Sequence, residues 1–105
     1  MKLQEQKCEP VTADTRPLEQ NKAQSLMNEI AEWTLKDNTI QRQFKFKDFK
    51  EAMDFVNDVA EIANDQDHHP DIHISYNKVT IELSTHKIGG LSENDFIVAA
   101  KINGL

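Results

Sequence analysis

The sequence predicts an α+β fold in which three helices pack on one face of a four-stranded antiparallel sheet. Segments with the apolar spacing of amphipathic helices are separated by pairs of segments in which apolar and polar residues alternate. The two segments of each pair are joined by a short polar turn, and strands joined in this way run antiparallel. The expected element order is therefore α-β-β-α-β-β-α, with the helices and the sheet as two layers.

The composition limits the classes of function. The chain has 105 residues, which suits one small domain. Its net charge is −6 and it has no dense basic stripe, so we expect no direct binding to nucleic acid. It has no long apolar run and no apolar core near its start, so we expect neither a membrane span nor a signal peptide. The single cysteine, Cys8, excludes an intrachain disulfide, and we expect a cytoplasmic protein.

The first part of the chain predicts a tail and a helix. Residues 1–16 contain Pro10 and show no periodicity, so we expect a flexible tail followed by a single domain over residues 17–105. Pro17 suits the first turn of a helix. A helix over residues 17–31 is then predicted by apolar residues at helical spacing, which are Ala23, Leu26, Met27 and Ile30.

A first hairpin and a second helix follow. Strands are predicted over residues 33–36 and 39–46, on either side of an Asp37-Asn38 turn. Asp48 is the expected cap of the second helix, with Glu51 three residues later as in a capping box. The apolar stripe of this helix consists of Phe49, Ala52, Met53, Val56, Val59, Ala60 and Ala63. Phe55 and Ile62 stand apart from the stripe and are candidates for an oligomer interface, and the pattern fails at the polar residues 64–67.

The second hairpin predicts a register. With a turn at Asn77-Lys78, Ile74 faces Ile81 and all the apolar residues of both strands share one face, as register selection requires. The same register places His73 opposite Glu82. Extended outwards, it places His69 opposite His86, at the end of the sheet where the second helix also ends.

The last helix is predicted over residues 93–102. Gly89-Gly90 interrupts the preceding strand, and Ser92 is the expected cap. Asp95 lies three residues later, where its carboxylate can reciprocate the cap.

All four histidines lie between positions 68 and 86, and this cluster indicates a site. Exposed loop histidines are one interpretation, and a zinc site is a second. Pro70 disturbs the helical spacing between His69 and His73, and no cysteine is close in sequence, which weakens the metal interpretation. Acid–base chemistry without a metal is the third interpretation: one imidazole protonates a departing hydroxyl while another accepts a proton.

Several motifs together resemble the pterin-4a-carbinolamine dehydratases. They are Asp67-His68-His69-Pro70, Tyr76-Asn77-Lys78-Val79, Leu83-Ser84-Thr85-His86, Gly90-Leu91-Ser92 with Asp95, and, upstream, Trp33 and Phe44-Lys45-Phe46-Lys47-Asp48-Phe49. The resemblance extends over about residues 17–102. Two residues depart from the family pattern: Asn64 stands where many members have a glutamate, and Ile72 stands where animal members have a tryptophan.

The resemblance implies a function and a set of site residues. Members of the family form dimers or tetramers and dehydrate 4a-hydroxytetrahydrobiopterin to quinonoid dihydrobiopterin, without a metal or an organic cofactor. This reaction regenerates the pterin used by aromatic amino acid hydroxylases. By resemblance, His69 is the principal acid–base residue, and His68 and His86 bind the pterin and assist proton transfer. The remaining residues implied at the pocket are Asp67, Ser84, Thr85 and Lys87, with Pro70 and Asp95 in support.

The resemblance also leaves a non-catalytic alternative. Mammalian members stabilise dimers of a homeodomain transcription factor. A coactivator-like dimerisation or interaction protein with the same fold is therefore the second hypothesis for this chain.

Overall fold

The computed structural model describes residues 2–12 and 14–105 and has the predicted order of elements. The helices and strands are α1 (Gln20–Met27), β1 (Thr34–Lys36), β2 (Thr39–Lys45), α2 (Phe49–Gln66), β3 (Asp71–Ser75), β4 (Lys78–Leu83) and α3 (Glu93–Asn103), with short 3-10 helices at Leu3–Glu5 and His86–Ile88. The strands form one antiparallel sheet in the order β1-β2-β4-β3. The predicted α+β class is therefore confirmed.

The two faces of the sheet differ as the alternating pattern predicted. Val79, Ile81 and Leu83 of β4 are at most 1% exposed and join a core cluster with apolar residues of α2 and α3. The intervening residue Lys78 is exposed on the opposite face, and Thr80 is half-buried there. Burying one face of each strand is the main stabilising contribution to such a sandwich.

Helix α3 lies in the interior of the domain. Residues 94–100 are buried without interruption. This burial on all sides arises because α3 packs against α2 and also against the 3-10 helix at Leu3–Glu5. A helix with this environment has little amphipathic pattern, which is why its sequence signal comes from the Ser92 cap more than from periodicity.

Helix α1 is shorter than predicted. The predicted range 17–31 is wrong at its start because the backbone N–H of Leu18 donates to the carbonyl of Leu91 at 2.8 Å, which holds the chain extended there. Pro17 lies directly against Gly90, where an added Cβ would approach the Pro17 Cβ to 2.8 Å. After Met27 the backbone continues in hydrogen-bonded turns as far as Ile30 instead of in a regular helix.

Helix α2 is longer than predicted. It begins at the expected cap, where the backbone N–H of Glu51 donates to Asp48 Oδ1 at 2.9 Å. It continues through the polar residues that the pattern excluded and ends at Asp67, which has a left-handed backbone with φ of 52°. Polar residues on the solvent side extend a helix at little cost, so loss of the apolar stripe did not mark its end.

The register predicted for the second hairpin is wrong by two residues. The structure pairs Ser75 with Lys78, Ile72 with Ile81 and His73 with Thr80. The turn is therefore Tyr76-Asn77, with a left-handed backbone at Tyr76. Asn77 is held there because its backbone and side chain both bond the backbone of Phe46.

The observed register changes which residues lie opposite the histidines. A shift of two residues keeps every apolar side chain on the same face, so the apolar pattern could not distinguish the two registers. The predicted opposition of His69 and His86 is wrong, because the ladder begins at Asp71 opposite Glu82 and His86 lies in a 3-10 turn beyond the strand. His73 still contacts Glu82 diagonally, with 3.1 Å between Nε2 and Oε2.

The segment that precedes residues 17–102 packs on the rest of the domain. Leu3 is 6% exposed and belongs to the core cluster, and residues 3–9, here named the N-terminal strap, run along α3. The flexibility expected for residues 1–16 stays a prediction. Met1 and Ala13 of that range lie outside the described residues.

Candidate active site

His68 forms a buried pair with Asp95. The left-handed residue Asp67 ends α2 and directs the next residue inwards, so that the His68 side chain is only 13% exposed. Its Nε2 lies 2.6 Å from Asp95 Oδ1, and the Asp95 side chain is completely buried. A short contact to a buried carboxylate fixes the orientation of the imidazole ring.

Asp95 is held by a network of hydrogen bonds at the first turn of α3. Its Oδ2 accepts from the Ser92 backbone N–H at 3.0 Å, which confirms the predicted capping relation, and from Thr85 Oγ1 at 2.8 Å. The hydroxyls of Thr85 and Ser92 lie 2.7 Å apart. The carboxylate therefore has hydrogen-bond partners at both oxygens, as a buried charge requires.

His69 has a different environment from its neighbour. Its side chain is exposed, and its Nε2 lies 2.9 Å from Asn64 Oδ1 in the last turns of α2. An amide oxygen only accepts hydrogen bonds, so Nε2 is the donor in this contact and Nδ1 takes no part in it. Asn64, a departure from the family pattern in the sequence, thus orients this imidazole.

His86 lies at the mouth of a small cavity. Its Nε2 is 3.9 Å from Asp71 Oδ2, and both side chains are largely exposed. The cavity has a volume of about 270 Å³ and is lined by Asn38, Thr39, Ser84, His86, Gly89 and Gly90. The sequence analysis missed Asn38 and Thr39. The sequence carries no signal for them, because the pairing of Ile40 with Leu83, which brings the first turn beside the end of β4, joins strands that are distant in the chain.

The other predicted site residues divide by burial. Asp67 and Lys87 are exposed, and Pro70 and Ser84 are half-buried. Thr85 is 4% exposed, and its hydroxyl is engaged with Asp95 and Ser92. Thr85 therefore supports the carboxylate from within the fold.

Three further observations concern metals, grooves and membranes. Across residues 2–12 and 14–105, no three or more His, Cys, Asp or Glu side chains are grouped so that they could hold a metal ion. A larger groove of about 1000 Å³ lies between α1 and β1, but no histidine lines it. In the described part of the chain, no helix has the length and apolar character needed to cross a membrane.

Comparison with known proteins shows the family. The family model for pterin 4 alpha carbinolamine dehydratase matches residues 16–105, and the chain belongs to this family. It is 45% identical over 104 residues to a family member from Nitrosomonas eutropha, covering 98% of this chain and 92% of that protein.

A plant relative and a solved structure agree with this assignment. The chain is 44% identical to the mitochondrial pterin-4-alpha-carbinolamine dehydratase 2 of Arabidopsis thaliana, covering 98% of this chain and 58% of the plant protein. A crystal structure of a transcriptional coactivator/pterin dehydratase from Brucella melitensis superposes with a TM-score of 0.81 at 33% identity. The superposition covers 85% of this chain and 97% of that chain.

Proposed function

We propose that this chain is a hydro-lyase that dehydrates 4a-hydroxytetrahydrobiopterin to quinonoid dihydrobiopterin and water by histidine acid–base chemistry. The observation that carries the proposal is the buried His68–Asp95 pair, with His69 next to it in the chain and exposed, in a member of the dehydratase family. Two adjacent imidazoles with different partners suit a reaction that needs both a proton donor and a proton acceptor.

The reaction requires one proton to arrive and one to leave. The carbon–oxygen bond at C4a breaks, and the departing hydroxyl takes a proton to become water. The ring nitrogen next to C4a gives up its proton, and the double bond forms between these two atoms. No electrons are exchanged with a second reactant, so two side chains that donate and accept protons are sufficient.

The environments of the histidines support a division of roles. His69 is exposed and has Nδ1 available, so it is the principal acid–base residue in this proposal. His68 is held by Asp95 and would present a fixed imidazole edge to the pterin. His86, beside Asp71 and the small cavity, would bind the other side of the ring system and assist proton transfer.

Short polar groups would complete the pterin pocket. Ser84 lines the same cavity as His86, and Asp67 and Lys87 are exposed next to the histidines. In this proposal the pterin is the substrate, a homodimer or homotetramer is the assembly, and an aromatic amino acid hydroxylase supplies the carbinolamine. No metal and no organic cofactor take part.

The test is a dehydratase assay with a matched histidine control. We expect the purified protein to accelerate the decay of 4a-hydroxytetrahydropterin absorbance. His69→Ala and His86→Ala should each lower kcat/KM by roughly 10²-fold, the contribution of a positioned acid–base group. His73→Ala should leave it unchanged, because His73 lies on the polar face of the sheet beside Glu82. A wild-type rate equal to that of buffer at neutral pH would refute the proposal.

A non-catalytic interaction role is the second candidate. Phe55 and Ile62, predicted as interface residues, do not carry it, because they pack against the core and the Phe55 ring centroid lies 4.6 Å from that of Phe44. Instead Phe49, Ile74 and Tyr76 are between 41% and 66% exposed. Exposed apolar side chains such as these are candidates for contact with a partner. A Tyr76→Ser variant that keeps dehydratase activity but no longer binds a regulator retained by the wild type would support this role.

A further inference from the structure

The His68–Asp95 pair joins two elements that are distant in sequence. His68 follows Gln66, the last residue of α2, by two positions, and Asp95 lies in the first turn of α3, directly after Asn94. The 2.6 Å contact between them therefore depends on how the end of α2 is placed against the start of α3.

The N-terminal strap spans these two ends with adjacent residues. The backbone N–H of Cys8 donates to Gln66 Oε1 at 2.8 Å. The next residue, Glu9, pairs with the Asn94 side chain in both directions: its N–H donates to Asn94 Oδ1 at 3.0 Å, and its carbonyl accepts from Asn94 Nδ2 at 2.7 Å. Cys8 Sγ also lies 3.7 Å from the carbonyl oxygen of Asn94.

Burial shows that these contacts are part of the fold. Asn94 is only 7% exposed, and the strap backbone satisfies both the oxygen and the nitrogen of its amide. The other end of the strap is anchored separately, by the core residue Leu3 and by a 3.0 Å hydrogen bond from Lys101 Nζ to the carbonyl of Gln4. The match to the family model begins only at residue 16, so the strap lies outside it.

We propose that Gln66 and Asn94 are positioning residues, linked through the backbone of the N-terminal strap, that set the placement of His68 against Asp95. This inference rests on the proposed function for its effect on catalysis. The hydrogen bonds of both residues go to groups other than the imidazole, so each acts through the element that carries its neighbour. A small displacement of an acid–base group is enough to lower a rate strongly.

The test compares both ends of the strap in the full-length protein. Gln66→Met and Asn94→Leu remove the polar contacts at near-constant volume, and Gln66→Glu keeps an acceptor for Cys8. Lys101→Met removes the hydrogen bond at the far anchor and leaves the bonds of Cys8 and Glu9 in place. We expect the first two to lower kcat on the order of tenfold with little change in KM. Gln66→Glu should recover only part of the rate, because its carboxylate cannot donate to Asp65 as the Gln66 amide does at 2.9 Å. Lys101→Met should remain close to wild type.

A second readout is independent of catalysis. The imidazole proton of His68 that faces Asp95 should give a downfield, slowly exchanging NMR resonance. This resonance should move or broaden in Gln66→Met and Asn94→Leu but not in Lys101→Met, with circular dichroism reporting that each variant is folded.

The outcomes separate the two proposals. A His68 resonance unchanged in both variants overturns the positioning role, even if kcat falls, and so does an equal change in Lys101→Met. An inactive wild type counts against the dehydratase proposal, and the resonance then decides the positioning role alone.

Discussion

The adjacent residues His68 and His69 have different surroundings. His68 faces a fully buried carboxylate, whereas His69 is exposed and faces the amide of Asn64. The left-handed residue Asp67 ends α2 immediately before the pair, so both histidines lie outside the helix. Two consecutive residues thus provide one imidazole with a fixed orientation and one that is accessible to solvent.

The reactivity of the Cys8 thiol is expected to depend on pH. Burial raises the pKa of Cys8 to about 11, the charge of Lys101 opposes this, and that of Asp95 adds to it. We therefore expect alkylation by iodoacetamide to be slow at pH 8 and to accelerate towards pH 11, because the thiolate is the reactive form. Mass spectrometry of samples quenched at intervals measures the rate.

The sign of the linked effect on stability follows from the same shift. The folded chain holds the thiol proton more tightly than the unfolded chain, whose pKa is near the ordinary value of 9.0. The contribution of the Cys8 thiol to the free energy of unfolding is therefore complete below pH 9 and is lost as the pH rises towards 11. If the folded protein were alkylated at pH 8 as fast as urea-unfolded protein, the prediction of slow alkylation, and with it the raised pKa of Cys8, would be contradicted.

At the scale of single elements, the start of α2 is set by local chemistry. Asp48 Oδ1 accepts from the Glu51 backbone, and Glu51 Oε1 accepts from the Lys47 backbone N–H at 3.1 Å. These contacts involve residues at most four positions apart. For that reason the cap was predictable from the sequence.

We predict that Asp48→Ala lowers the free energy of unfolding by about 1 kcal/mol, the usual contribution of an N-cap. Urea denaturation followed by circular dichroism measures the change. Asp54→Ala is the matched control on the same helix. It removes only the exposed ion pair with Lys50 and should leave the midpoint nearly unchanged. Equal midpoints for Asp48→Ala and wild type would refute the capping role.

At the scale of the whole molecule, Asn103 connects three parts of the fold. Its Oδ1 accepts from Trp33 Nε1 at 2.8 Å and from an Arg42 guanidinium nitrogen at 2.7 Å. Its Nδ2 donates to the carbonyl of Ala31 at 3.1 Å. The end of α3 is thereby joined to the connection between α1 and β1 and to β2.

We predict that Asn103→Ala lowers the free energy of unfolding by about 2 kcal/mol, because it leaves the nearly buried Trp33 indole N–H without an acceptor. Urea denaturation monitored by tryptophan fluorescence measures this. Asn21→Ala, which removes only an exposed bond to its neighbour Lys22, is the control and should differ little from wild type. If Asn103→Ala lowered the free energy of unfolding no more than the control does, the Asn103 hydrogen bonds would not stabilise the fold.

Local patterns in the sequence determined the element order, the two strand faces, the caps at Asp48 and Ser92 and the cluster of histidines. Each of these depends on residues close in the chain or on a period of two or 3.6 residues, so one sequence suffices to predict them. The motifs around His68-His69-Pro70 likewise indicated the family before any contact was known.

The contacts between distant segments could be known only once the chain was folded in three dimensions. The hairpin register differed by two residues because Asn77 bonds Phe46 of the other hairpin, and the apolar pattern is the same in both registers. The partners of His68 and His69, and the strap contacts of Gln66 and Asn94, also join residues from different elements or turns. Their physical basis is burial and hydrogen-bond geometry in three dimensions, which no periodicity along the chain encodes.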